Sequence, residues 1–209
     1  TIGRRQRQMC IRDRVKPQHL KNISEAGNIS NKDNLLVSIL AGVSINRLTQ
    51  KFPNHKCVRV VTNIPITVGK GLTGIAWGEN LTKDQKQITK KLFENTSKIY
   101  EFTEDYLDIF LALTSSGPAI IALIIEALSD GGLSGGLPKI LSEELIMEMI
   151  LGTISLIKEN QLTPSELKNL VTSPGGTTIS ALRVLEKKSV RSALMESILS
   201  ASNRSKEFR

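Results

Sequence analysis

Apolar and polar positions change their rhythm near the middle of this chain. Between Val15 and about residue 100, short apolar runs alternate with stretches of helical spacing. Leu35–Leu40 is a short apolar run closed by Ala41-Gly42, and Cys57–Val61 is β-branched and apolar, so both predict buried strands. Between them Val43–Phe52 carries helical spacing and stops at Pro53. Leu72–Trp77, flanked by glycines, predicts another strand, and Thr82-Lys83-Asp84-Gln85 has the form of a capping box that opens a helix to about Asn95. Strand–helix alternation with short links predicts an α/β layer built on a parallel sheet.

From Glu101 onward helical spacing dominates and predicts an all-α part, with helices over 104–113, 118–129, 138–159, 165–170, 177–187 and 190–206. Pro118, Pro138 and Pro164 stand near helix starts, where a missing N–H costs nothing. Asp130-Gly131-Gly132, Gly135-Gly136 and Gly175-Gly176 predict the interruptions. A domain boundary is expected near residue 100. The helix over 138–159 carries Leu141, Leu145, Ile146, Met149, Ile150, Ile154 and Ile157, and 120–128 is apolar nearly all round. Helices greasy on more than one side need more burial than a small bundle offers, which predicts a helical oligomer interface.

Composition narrows the class. The chain has 209 residues, 40% of them apolar and 23% charged, which is ordinary globular composition. The longest uncharged apolar run is Ala119–Ile125, far short of the roughly 20 residues a bilayer crossing needs, so no membrane segment is expected. Two cysteines, Cys10 and Cys57, cannot build a disulfide framework, and no Cys/His cluster has zinc spacing; the chain reads as cytoplasmic and without a metal site. A net charge of +8 raises nucleic acid as a partner, but only 4% of residues are aromatic, which argues against base stacking. Half of that charge lies in residues 1–14, where Arg4, Arg5, Arg7, Arg12 and Arg14 face only Asp13. The remainder is unremarkable, and no nucleic-acid partner is expected.

Three motifs carry candidate chemistry. Gly69-Lys70-Gly71-Leu72-Thr73-Gly74 matches the dinucleotide fingerprint, but that motif works only between a strand and a helix, and Ile75-Ala76-Trp77-Gly78 reads as strand or turn. It is expected to be a glycine-rich turn. Thr172-Ser173-Pro174-Gly175-Gly176-Thr177-Thr178 precedes the helix over 177–187. Its glycines let the backbone approach a ligand, N–H groups at a helix start suit a carboxylate or phosphate, and Thr177 or Thr178 can cap the helix or offer a hydroxyl. A plain capped turn explains the same pattern. Thr114-Ser115-Ser116-Gly117-Pro118 reads as a helix N-cap. Neither His19 nor His55 sits in a catalytic signature.

At these loops, and in order from Val15 to Arg209, the sequence resembles the pyrroline-5-carboxylate reductase family. The run LKNLVTSPGGTTISAL from Leu167 to Leu182 carries the likeness most fully. Val15-Lys16-Pro17-Gln18, Ser38–Val43, Arg59-Val60 leading to Asn63, Ser116–Ala119, Glu126–Leu128, Asp130–Gly132 and Gly136–Pro138 add to it. The resemblance implies the C-terminal part of a Rossmann-like NAD(P)-binding domain over 15–100 and a helical dimerisation and substrate-binding domain over 101–209. It implies reduction of 1-pyrroline-5-carboxylate to L-proline with NADPH or NADH, in a homodimer or a larger ring of dimers. By the same resemblance Thr178 is the catalytic hydroxyl near the substrate nitrogen, with Ser173 and the backbone of Gly175 and Gly176 on the carboxylate and Val171 against the ring. Lys16, Pro17, Ala41, Gly42 and Asn63 match positions lining the nicotinamide.

The sequence departs from that family in places. A Gly-rich pyrophosphate loop is expected before Val15, whereas Gln8–Arg14 cannot be a central parallel strand. Residues 1–14 are therefore expected to be foreign to the fold, the family part to be N-terminally truncated, and residues 1–209 by themselves to be inactive. The family's Met-Pro-Asn-Thr-Pro is Val61-Thr62-Asn63-Ile64-Pro65, and Leu111, Thr114, Ser115 and Ile120 replace its Thr, Ser, Gly and Tyr. Those losses keep open a degenerate paralogue that acts as a non-catalytic helical oligomerisation protein.

Overall fold

The computed structural model describes residues 34–207. The expected basic stretch over 1–14 lies outside them. Within the described residues two compact units form, one from residues 34–111 with 202–207, the other from 112–201. The boundary expected near residue 100 falls before this division, because the helix following the sheet still packs on it and the chain's last turn returns to it.

The first unit is a four-stranded sheet in the order β1-β2-β3-β4. Its strands are β1 (Asn34–Ser38), β2 (His55–Thr62), β3 (Gly71–Trp77) and β4 (Ser97–Glu101). Helix α1 (Ile45–Lys51) links β1 to β2, and α2 (Lys83–Lys91) links β3 to β4; both pairs are parallel. The sheet is mixed rather than parallel throughout, because β2 and β3 pair antiparallel. Their connection is a short 3-10 turn, Ile64–Val68, closed by Gly69 at φ +70°, and a parallel crossover needs a dozen or more residues. β4 was not legible in the pattern, since Ser-Lys-Ile-Tyr-Glu at the sheet edge is only half-buried.

Alternation along β2 sorts the core into two faces. Val58 and Val60 join Ile75 on one face, where Leu81 and Phe93 pack against them. Cys57 lies on the other face with Val43, Leu48 and Phe52, and Val61 lies there with Ala76, Leu107 and Phe110. Arg59 shares this second face and is fully buried. The Thr82–Gln85 capping box forms as expected at the start of α2.

The helical part begins with the 3-10 turn Glu104–Tyr106 and α3 (Leu107–Leu111), runs through a π-helical turn at Ala112–Ser116 and continues as α4 (Gly117–Ser134). Thr114, Ser115 and Ser116 are thus helical and do not form the expected N-cap; no side chain caps α4. The run Glu104–Ser134 is long and apolar enough, by length and composition, to cross a membrane. The contrary expectation treated 104–113 and 118–129 as separate helices, and the π turn joins them.

α4 also passes through Gly131-Gly132, where an interruption was expected. Gly132 is placed for close approach: Ser142 Oγ occupies the space its Cβ would take and donates to Ser129 O at 2.9 Å. α4 thereby packs tightly on α5 (Lys139–Glu159). Then follow α6 (Pro164–Leu170), α7 (Thr177–Lys187) and α8 (Val190–Lys206). Apolar residues of α4, α5 and α8 remain on the surface: Leu123 is 64% exposed, Leu151 56% and Met195 62%. A single chain leaves this apolar area uncovered, as a surface built for association does.

Candidate active site

The residues assigned to the cofactor fall at one edge of the first unit. Parallel pairing sets Ser38 beside Arg59, so the segments that follow β1 and β2 leave the sheet at the same end. Ala41-Gly42 is the turn after β1, and Asn63 is the first residue after β2. In open α/β sheets ligands bind beyond the carboxyl ends of strands, which is where these residues stand. Gly42 is buried with φ +70°, a conformation glycine adopts without strain. Ala41 is exposed beside it. Asn63 is buried and its Oδ1 accepts the Leu72 N–H at 2.8 Å, which orients its amide. A glycine turn at the carboxyl edge of a parallel pair is compatible with the close approach of a dinucleotide. Lys16 and Pro17, expected to line the same cofactor, lie outside the described residues. Gly69–Gly74 forms the turn and first half of β3, with no helix after it, as its context required.

The residues assigned to the substrate fall together in the second unit, between α6 and α7. Thr163 and Glu166 form a capping box at the start of α6. The Thr163 hydroxyl and N–H both donate to the Glu166 carboxylate at 2.7 Å, which holds its pKa below the ordinary glutamate range. α6 ends at Val171, which is 55% exposed. The chain then turns through Ser173–Gly176, with Gly175 at φ +70° and the Gly176 N–H donating to Ser173 O at 3.1 Å. Gly176 is the N-cap of α7, and no side chain caps that helix. Thr177 and Thr178 stand inside its first turn, so neither hydroxyl is spent on capping. The Gly176 N–H closes the turn, whereas the Gly175 N–H and those of the first helical turn, Thr177 to Ile179, make no bond within the turn or the helix. Ser173 Oγ folds over Gly176 where a Cβ would sit, 2.5 Å from that position. Thr178 is half-buried and Ser173 exposed. A concavity of about 580 Å³ opens on the flank of this turn, lined by Lys168, Thr172, Ile179, Arg183 and Lys187 among others. It touches the loop only through Thr172 and Ile179, so the assigned residues do not line it.

One group escaped the sequence reading as a functional cluster. Arg59 Nη1 meets Glu104 Oε1 at 3.3 Å, and its Nη2 meets Asp108 Oδ1 at 2.8 Å. Ser205 Oγ donates to the same Asp108 oxygen at 2.9 Å. The available signal was an arginine inside an apolar strand, facing two acids spaced four apart. Among the described residues no group of three or more His, Cys, Asp or Glu could hold a metal ion.

A short α/β sheet, helices with an uncovered apolar surface and a glycine turn at a helix start fit a Rossmann-like half followed by a helical association part. Comparison with known proteins narrows the class. Residues 104–208 match the family model for pyrroline-5-carboxylate reductase dimerisation. Pyrroline-5-carboxylate reductase of Synechocystis sp. is 43% identical over 196 residues, covering 93% of this chain and 73% of that protein. That of Glycine max is 38% identical over 195 residues, covering 93% and 71%. A crystal structure of Plasmodium falciparum pyrroline carboxylate reductase with NADP bound superposes with a TM-score of 0.86 at 32% identity, covering 93% of this chain and 79% of that one. The chain belongs to the pyrroline-5-carboxylate reductase family.

Proposed function

We propose that the gene product reduces 1-pyrroline-5-carboxylate to L-proline, the last step of proline biosynthesis, at a site built from the Ser173–Thr178 turn. The observation that carries this is the start of α7: glycine at the cap, backbone donors that neither turn nor helix uses, and two threonine hydroxyls not used by the helix. The substrate carboxylate would accept from those N–H groups and from Ser173 Oγ, with the helix dipole favouring its negative charge. Val171 would pack on the ring. Thr178 would hydrogen-bond the ring nitrogen through its hydroxyl and orient it, while the nitrogen takes a proton from water and the ring carbon takes the hydride, which together give the amine.

When bound, the nicotinamide cofactor supplies the hydride. Ala41, Gly42 and Asn63 would hold its nicotinamide half, with Lys16 and Pro17 from the preceding segment. The relative solved with NADP bound supports a nicotinamide cofactor, NADPH or NADH. A homodimer joined through α4 and α5, open to assembly into a ring of dimers, accounts for the uncovered apolar surface, including the run Glu104–Ser134. The family model for dimerisation covers these helices, which supports a protein partner for them over a lipid one. A cytoplasmic setting belongs to the same reading.

Replacement of the family's threonine by Leu111 does not weaken this proposal. Leu111 packs against the cluster of Val61, Leu107 and Phe110, so its change is absorbed by core packing. The gene product, given NADPH and 1-pyrroline-5-carboxylate, is expected to oxidise cofactor only in the presence of the imine. Stable dimers with no turnover would instead support the non-catalytic oligomerisation protein.

A further inference from the structure

Glu104 stands outside every segment assigned to cofactor or substrate, yet it holds the start of α1. Its Oε1 accepts the Ile45 N–H at 2.7 Å from 59 residues away in sequence. α1 has no acidic residue in its own first turn, and its N-cap Ser44 serves the Arg47 N–H. Glu104 therefore supplies the negative charge that a helix start favours. The same carboxylate oxygen meets Arg59 Nη1, so a continuous set of contacts runs from Ser205 through Asp108, Arg59 and Glu104 to the backbone of Ile45. Ile45 directly follows the Ala41–Ser44 segment, and Arg59 precedes Asn63 on β2. One buried arginine thus ties together both segments at the carboxyl edge of the parallel pair.

The members of this set differ in burial. Arg59 and Asp108 are sealed from solvent, whereas the Glu104 side chain is 26% exposed. Removing Glu104 leaves Arg59 paired with Asp108 and strands no buried charge. What it removes is the anchor of α1 and of the turn before it.

We propose that Glu104 is a positioning residue for the nicotinamide cofactor, fixing the Ala41–Ser44 turn where the dinucleotide docks. The proposal rests on the assignment of Ala41, Gly42 and Asn63 to the cofactor. It is tested in the full gene product by titrating NADP⁺ and by amide hydrogen exchange in the absence of cofactor. Glu104→Ala is expected to raise the NADP⁺ Kd about tenfold and to speed exchange at the start of α1. Glu104→Gln keeps an acceptor for the Ile45 N–H and is expected to recover most of both. Ser205→Ala, which loosens the far end of the set, is expected to lower Tm while leaving Kd and α1 exchange unchanged. Unchanged Kd in Glu104→Ala, or equal Kd changes in Glu104→Ala and Ser205→Ala, would overturn the proposal. Failure of the wild type to bind NADP⁺, with α1 exchange still dependent on Glu104, would show that the cofactor assignment beneath it is wrong and would remove the proposal with it.

Discussion

Arg59 on β2 and Asp108 on α3 form an ion pair at 2.8 Å in which both side chains are fully buried. An arginine on the inward face of a central strand is tolerated only because a carboxylate reaches it. Removing Arg59 takes the guanidinium from the buried Asp108 carboxylate, at about 3–5 kcal/mol, whereas removing Asp108 leaves Arg59 its longer pair with Glu104. Arg59→Met is expected to lower unfolding stability by that amount in urea denaturation, and Asp108→Ala by less. Arg59→Met combined with Asp108→Leu is expected to regain much of the loss, since neither fully buried charge remains.

Contact between α4 and α5 depends on the missing side chain of Gly132. A Cβ there would meet Ser142 Oγ and break its bond to Ser129 O. Gly132→Ala is expected to cost about 1–3 kcal/mol by overpacking and to lower Tm, whereas Gly131→Ala, which opens onto free space, should not. Thermal melts of the two variants side by side measure the difference.

Much of this fold was legible because period and punctuation agreed. β1, β2, β3 and α1 follow from apolar runs bounded by Gly and Pro, α5, α6 and α7 from helical spacing opened by Pro or Thr, and α8 from helical spacing alone. What failed was non-local. Nothing in Asn63–Lys70 announces that its eight residues are too few for a crossover, so the antiparallel β2–β3 pair was missed. Gly131-Gly132 reads as a break and serves as a helix contact. At the site, the Ser173–Thr178 turn was readable as glycine before a helix, but which N–H groups it leaves unused was not, because Gly176 spends its own on Ser173 O. The bond from the Ile45 N–H to Glu104 was not readable, since the two lie on different elements 59 residues apart.

The substrate turn depends on a backbone conformation that side chains resist. Gly175 has φ +70°, and an L-residue there costs about 1–2 kcal/mol. Gly175→Ala is expected to raise the KM for the imine several-fold with little effect on the KM for NADPH. Thr178→Val, which keeps the shape and removes the hydroxyl, is expected to lower kcat about 100-fold while leaving NADPH binding intact. Steady-state kinetics with each substrate varied in turn separates the two effects.

Glu166 makes the entry to this turn sensitive to acid. Its folded pKa is depressed by the hydrogen bonds from Thr163, so the stability it gives α6 is fully present above the unfolded glutamate value of about 4.3 and is lost as pH falls through the lower folded value. Amide exchange in α6 is expected to accelerate on that descent. In Glu166→Gln the exchange should lose its acid dependence.

The imine reductase assignment is tested most directly by one steady-state assay. The gene product is mixed with NADPH and 1-pyrroline-5-carboxylate, and absorbance at the reduced nicotinamide band is followed while proline is quantified. Cofactor oxidation that requires the imine, matches proline formed one for one and falls about 100-fold in Thr178→Val is the predicted result. A correctly assembled dimer that forms no proline, or one whose turnover is indifferent to Thr178, would contradict it.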